Sequence, residues 1–222
     1  SKAFFVNGGY GRVVSSIPAF ELYAKESGDE DFVIICEGGT DAFKGHPDLD
    51  HRAYDNWHKN LFKEKLIDKD IVSPEPYRIW EYYNQKCNLA QGYDIAINNK
   101  GLREVTKPRM FLSKEEMIMG RQIINQVKER LQKEKTVIIQ PFGRGVQHVD
   151  GSFIDNTGRS IEYKDFKLLI KKLQEQDFAV ISMAEMGFDF SKDKLPYDVA
   201  MPEQVSLRHW SAAIKFSNHF IG

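Results

Sequence analysis

The sequence predicts an α/β protein built on doubly wound parallel sheets, and three features lead there. Short β-branched runs end in glycine turns and give way to helical periodicity twice, from Ala3 to Ala24 and again from Thr136 to Leu173. Phe166, Leu169, Ile170 and Leu173 fall at i, i+3, i+4 and i+7, one face of a helix from about Tyr163 to Gln176. The run Phe178 to Met183 is short and apolar throughout, as a buried parallel strand following a crossover helix is. In such sheets ligands lie outside the carboxyl ends of the strands, so the loops after Ile139 and Met183 are where a ligand is expected.

The chain is long enough, at 222 residues, for one large domain or two small ones, and two are expected, 1–107 and 108–222. Charged residues make up 28% and hydrophobic ones 41%, an ordinary globular composition. The 31 basic and 32 acidic side chains nearly cancel, which argues against a dedicated nucleic-acid binder. No apolar run approaches the roughly 20 residues needed to span a bilayer, and no signal-peptide pattern opens the chain, so a cytoplasmic location is expected. Cys36 and Cys87 make no metal or redox motif and read as buried reduced thiols.

In the first half, Ala3 to Val6 is a strand that stops at Asn7-Gly8-Gly9-Tyr10-Gly11, and Val13, Ile17, Phe20 and Ala24 then recur at helical spacing. Val14 stands where the last glycine of a dinucleotide fingerprint would be, so that motif is incomplete. Pro18 predicts a helix that starts near Ser16 or kinks. Phe32 to Cys36 is a second strand, opening into Glu37-Gly38-Gly39-Thr40-Asp41. Short edge strands are expected at His51 to Tyr54 and Asp70 to Val72, with a helical turn or two between Trp57 and Lys65. Tyr77, Trp80, Tyr83 and Cys87 suggest a helix; Tyr93 to Ile97 fits strand or helix equally. Gly101 to Phe111, with Lys107-Pro108, reads as the interdomain linker.

The second half opens with a capping box, Ser113 and Glu116, on a helix that turns Ile123, Ile124, Val127 and Leu131 inward. Thr136 to Ile139 is its first strand, ending in Gln140-Pro141-Phe142-Gly143-Arg144-Gly145. Val146 to Ser160 is polar and reads as a long loop or an inserted hairpin. After Met183 a short strand is expected near Asp198 to Gln204, then a helix carrying Leu207, Trp210 and Ile214, then a last strand from Asn218 to Ile221.

Gly143-Arg144-Gly145 combines turn amides with a guanidinium able to grip phosphate oxygens, and Arg159 could be a second grip. A surface loop with solvated arginines fits the same spacing. Glu203, beside Gln204, is the best carboxylate for a ribose or a base, although a helix-leading acid would look the same. Glu37 and Asp41 are candidate bases, with solvated loop acids as the plain alternative. His46, Asp48, Asp50, His51, Asp55 and His58 cluster without a standard metal-ligand spacing. His209 reads as an exposed helical residue rather than a catalyst. No Walker pattern, G-x-S-x-G elbow, H-E-x-x-H or paired-cysteine motif occurs.

The order of elements resembles the GT-B glycosyltransferases, in particular the heptosyltransferase-like family 9. Three segments carry the likeness, about half of the chain: Gly11 to Phe20, Val137 to Gly145 with Ile161 to Leu173, and Leu207 to Gly222. The resemblance implies two Rossmann-like domains facing a cleft, the first for the acceptor and the second, incomplete here, for the nucleotide sugar. It implies a sugar transferred from a nucleotide-activated donor to a glycan or lipopolysaccharide-type acceptor, with the nucleotide sugar as substrate, no further cofactor and no metal. Arg12, which stands where the family has its base, and Asp41, from its own loop, are the catalytic candidates. Phe142, Gly143, Arg144, Gly145, Arg159, Glu203 and Gln204 would hold the donor, and Gly8, Gly9, Tyr10 and Gly11 would form the acceptor-side loop. The chain departs from the family at Arg12, where an aspartate base is usual, and at Tyr163, where a tryptophan is usual. The neighbouring phosphate-binding lysine is unmatched, and the family continues beyond the strand matching Asn218 to Gly222. A non-catalytic nucleotide-sugar-binding protein and a sugar-nucleotide epimerase are the alternatives on the same frame. A transferase acting on DNA finds no support in the charge balance.

Overall fold

A computed structural model describes residues 1–143, 145–149, 152–183, 199–200 and 205–222. The chain divides into two compact units, Ser1–Leu112 and Ser113–Gly222.

The first unit is a parallel sheet of β1 (Lys2–Val6), β2 (Val33–Cys36), β3 (Ala53–Asp55) and β4 (Asp70–Val72) in the order β3-β2-β1-β4. Phe4 pairs with Ile34 on one side and Val72 on the other. Strand residues alternate between faces, so Phe4 and Ile34 join Ile17 and Phe20 of α1 (Tyr10–Glu26), together with Phe32, Phe43 and Tyr93, in one core. The opposite face, with Ala3, Val33 and Ile35, is covered by Leu66 and Leu61 from an irregular segment containing one wide turn, Phe62–Leu66. That turn is the one or two helical turns expected between Trp57 and Lys65, placed at the C-terminal end of that stretch.

Pro18 neither starts nor ends α1, which begins at Tyr10 and runs through it. Val13, Ile17 and Phe20 are fully buried around the proline, and their packing outweighs the lost backbone hydrogen bond. The aromatic segment differs more. Instead of one helix through Cys87, it forms a 3-10 turn at Pro76–Arg78 and the single turn α2 (Trp80–Tyr83). A capping box then starts α3 (Leu89–Asn98): Asn88 Oδ1 accepts the Gln91 N–H at 2.9 Å, and Gln91 Oε1 accepts the Asn88 N–H at 3.1 Å. Tyr93 to Ile97 is therefore helical. Trp80 and Tyr83, whose spacing suggested a buried face, are exposed.

The segment read as a linker is strapped to the first unit. Arg103 bonds Asp94 at 2.6 and 2.9 Å and reaches Glu26 at 2.9 Å. Thr106 Oγ1 donates to Glu21, Tyr10 Oη to Met110 Sδ, and Phe111 packs edge-on against the His46 ring.

The second unit opens with α4 (Lys114–Leu131), capped by Ser113 and Glu116 as expected. Its parallel sheet contains β5 (Lys135–Ile139), and the segment between Val146 and Ser160 forms an antiparallel hairpin of β6 (Val146–Val149) and β7 (Ser152–Asp155). Helix α5 (Tyr163–Glu175) leads to β8 (Phe178–Ser182); β9 (Val199–Ala200), α6 (Leu207–Phe216) and β10 (His219–Ile221) follow, with the strands ordered β10-β5-β8-β9. Ile138 and Ile181 face α4 and α6, whereas Val137, Ile139 and Val180 face Phe166 and Ile170 of α5. Helices α4 and α6 cross with little space at Gly120, where a Cβ would lie 2.5 Å from Ala212. Buried Arg208 joins the same pair, donating to the Glu116 carboxylate at 2.6 and 2.9 Å.

Candidate functional site

At the carboxyl edge of the first sheet, the strand order brings the loops after β3, β2, β1 and β4 side by side. Gly8, with φ +93°, makes the turn out of β1, and its N–H donates to Glu37 Oε2 at 3.0 Å. Glu37 is the first residue beyond β2, so this bond ties together the two central loops. Gly9 precedes α1, whose first turn carries Tyr10, Gly11 and Arg12.

Arg12 reaches across to β4. Its Nη2 donates to both oxygens of Glu75, at 3.1 and 3.2 Å, its Nε donates to Tyr93 Oη at 3.1 Å, and its guanidinium lies 4.9 Å from the centre of the Tyr77 ring. Burial works against the charge, but the bonds to Tyr93 and Glu75 outweigh it and hold the guanidinium above its ordinary pKa. Burial pushes the Tyr93 phenol up, against the pull of Arg12. Glu75 and Tyr93, neither singled out by the sequence, thus complete a brace around Arg12. The signal that could have found Glu75 is its position just past β4, equivalent to that of Glu37 past β2.

Asp41 is exposed in the 3-10 turn Thr40–Phe43, whose Ala42 and Phe43 are buried, and Thr40 Oγ1 donates to Asp55 at 2.8 Å. Trp57, 67% exposed, stands beside Gly38. Cys36 is buried at the end of β2, and burial, aided by Asp55, pushes its thiol up to about 12, so it is not a nucleophile at neutral pH. Cys87 is only partly buried.

The acidic and histidine-rich stretch does not gather into a metal site. His46 is buried, with Nε2 3.0 Å from Glu21 and Nδ1 accepting the Asp48 N–H. Among the described residues no group of three His, Cys, Asp or Glu side chains could hold a metal ion. A cavity of about 540 Å³ in the first unit is lined by Glu21, Lys25, His46, Asp48, Arg52 and Arg109 among others. It lies off the strand-end loops and mixes both signs of charge, and its Glu21 is already committed to His46 and Thr106.

In the second unit the loop after β5 closes on itself. The Gly143 N–H donates to Ser160 Oγ at 2.9 Å, and Asp155 accepts from Ser160 Oγ, Thr157 Oγ1 and Thr157 N at 2.6, 2.6 and 2.8 Å. The Ser160 and Thr157 hydroxyls hold the Asp155 carboxyl down at about 2. A Cβ on Gly143 would meet Arg159 at 3.0 Å, and one on Gly145 would meet Thr157 at 2.7 Å. The glycines expected to admit a ligand are thus required by the turn's own packing. Phe142 is buried against Phe166 beneath the loop, and Arg159 stays exposed. Arg144, Glu203 and Gln204 lie outside the described residues.

No family model matches the sequence, and no curated protein does. Among solved structures, the chain is similar to a family 9 glycosyl transferase from Veillonella parvula DSM 2008, with a TM-score of 0.67 at 10% identity over 98% of this chain and 74% of that one. It is similar to the ADP-heptose LPS heptosyltransferase II of E. coli, with a TM-score of 0.60 at 8% identity over 99% and 78%. For the E. coli heptosyltransferase WaaC with ADP the TM-score is 0.53, at 9% identity over 98% and 79%. The fold is therefore the GT-B-like α/β fold of the heptosyltransferases, as the resemblance implied. No helix among the described residues is long and apolar enough to cross a membrane.

Proposed function

We propose that the chain is a glycosyltransferase that moves a sugar from a nucleotide-activated donor to a hydroxyl-bearing acceptor. The observation that carries this reading is the likeness of nearly its whole length to three sugar-transferring enzymes, one of them holding ADP. The donor belongs on the second unit, with Arg144 and Arg159 on the diphosphate and Glu203 and Gln204 on the nucleoside. Since the Gly143 amide is spent on Ser160, the burden of neutralising the diphosphate falls on the arginines more than on loop amides. The acceptor belongs at the Gly8 to Gly11 loop and the adjoining loop after β2, where the exposed Trp57 indole beside Gly38 offers a stacking face.

Calorimetric melting with ADP, UDP and GDP and their sugars tests the donor assignment. A ligand at about 100 times its Kd stabilises the folded state by about 2.7 kcal/mol, an easily resolved shift. No shift with any of them removes the donor site. A second reading, a non-catalytic binding protein, is favoured by the Arg12–Glu75 brace, which fills the usual position of the base with an ion pair. Nucleotide binding without release of diphosphate or transfer of sugar would support it.

A further inference from the structure

We infer that Glu37 is the proton acceptor for the transfer step, an assignment that rests on the glycosyltransferase reading. A general base must hold one oxygen in a fixed direction and leave it unpaired within hydrogen-bond reach of the reacting hydroxyl. Four carboxylates stand at or just beyond the carboxyl ends of the first sheet's strands, and they differ in how they meet that requirement. Glu75 gives both oxygens to Arg12, and Oε1 also takes the Tyr77 N–H at 3.3 Å. Asp55 ends the edge strand β3, and its Oδ1 is held only by the rotatable Thr40 hydroxyl. Asp41 sits in the turn beyond the loop and has an interaction of its own.

Glu37 combines availability with anchoring to a fixed backbone amide. The Gly8 amide fixes Oε2 at 3.0 Å, while Oε1 makes no hydrogen bond among the described residues. Arg12, in the first turn of the helix that follows the β1 loop, is paired with Glu75. The residue lies between the loops after β3 and β1, with Trp57 beside the adjacent Gly38. In the step itself, the acceptor oxygen bonds to the anomeric carbon as the bond from that carbon to the diphosphate oxygen breaks. The nucleoside diphosphate leaves with the electron pair, and the acceptor's proton passes to Glu37 Oε1 and then to solvent.

Glu37→Gln separates this role from loop bracing. Its amide oxygen still accepts the Gly8 N–H, but its NH2 group then occupies the place of the free oxygen and cannot take a proton. The assay is release of nucleoside diphosphate by the whole chain from ADP-, UDP- and GDP-sugars, with water as acceptor so that the natural acceptor is not needed. E37Q is expected to lower kcat by about 100-fold or more and to keep the nucleotide-induced melting shift. Activity of E37A is expected to recover in formate, which supplies an external carboxylate. Release by E37Q within about threefold of wild type, a loss carried by Asp41→Asn instead, or no recovery of E37A in formate overturns the assignment of the base alone. No release by wild type and no nucleotide-induced shift overturns the transferase reading and this assignment with it.

Discussion

Replacing Gly120 with alanine tests how the second unit is held together. The new Cβ would lie 2.5 Å from both the carbonyl carbon and the Cβ of Ala212, and 2.8 Å from the backbone nitrogen of Ala213. Non-bonded carbons rest about 3.5–4.0 Å apart, so α6 must retreat by about 1 Å. No rotamer change can absorb the clash, because the partners are backbone atoms and a methyl group. The retreat loosens Ile124, Val127, Trp210 and Ala213 together, since all four share the core between these helices and the sheet. Overpacking costs about 1–3 kcal/mol, and the better helix propensity of alanine returns at most about 1 kcal/mol. With backbone in the way the upper part of the range applies, leaving a net loss of about 2 kcal/mol and a melting point lower by about 8 °C. Trp57 and Trp80 are the other two of the three tryptophans, so changing both to phenylalanine leaves Trp210 fluorescence as a reporter of the second unit. Urea unfolding followed by that signal should shift to a lower midpoint in G120A. Adding Ala212→Gly should restore part of the loss, because it removes one of the three contacts. A G120A protein as stable as its parent, or more so, would refute the packing argument.

Arg12→Ala leaves the Glu75 carboxylate and the Tyr93 hydroxyl without their shared donor. With side-chain exposures of 19% and 36% for Arg12 and Glu75, the loss should be about 1–3 kcal/mol in unfolding of the first unit. Arg12→Lys, which cannot reproduce the fork, should recover less than half of it. Acid stability gives a separate check on the second unit. The Asp155 carboxyl is depressed, so its contribution is complete above the unfolded value of about 4 and is lost as pH falls through about 2. The melting-point difference between wild type and Asp155→Asn should therefore be constant above about pH 5 and shrink between about pH 4 and 2. A difference independent of pH across that window would show that the carboxylate charge is not what the two hydroxyls hold.

Much of the fold was legible because its signals are local. The Ser113 and Glu116 box, the α5 stripe from Phe166 to Leu173, and the apolar strands at 136–139 and 178–182 each need only a few neighbouring residues to declare themselves. The misreadings fall where tertiary contacts overrode local cues. Pro18 allowed a helix starting near Ser16 or one kinked there; α1 starts at Tyr10, and the burial of Val13, Ile17 and Phe20 outweighs the missing hydrogen bond. The aromatic spacing from Tyr77 to Cys87 suggested a buried helix that Trp80 and Tyr83, both exposed, do not make. The segment expected as a linker is irregular and ends next to the boundary between the units; what its lack of periodicity did not announce is that Arg103, Thr106 and Phe111 find partners in Glu26, Asp94, Glu21 and His46.

The sequence by itself determined where the strand-end loops lie, that glycines and carboxylates occupy them, and that arginine takes the place of an aspartate at position 12. Only the tertiary structure decided what those residues do to one another. It joined Arg12 to Glu75 and Tyr93, 63 and 81 residues away, and among the described residues left Glu37 with one oxygen held and the other open. It also turned the Gly143 amide inward to Ser160. Strand order and hydrogen-bond direction cause this difference. Parallel pairing sets distant loops side by side, and whether a polar group there is spent or available depends on its partner's position in space, which spacing along the chain does not encode.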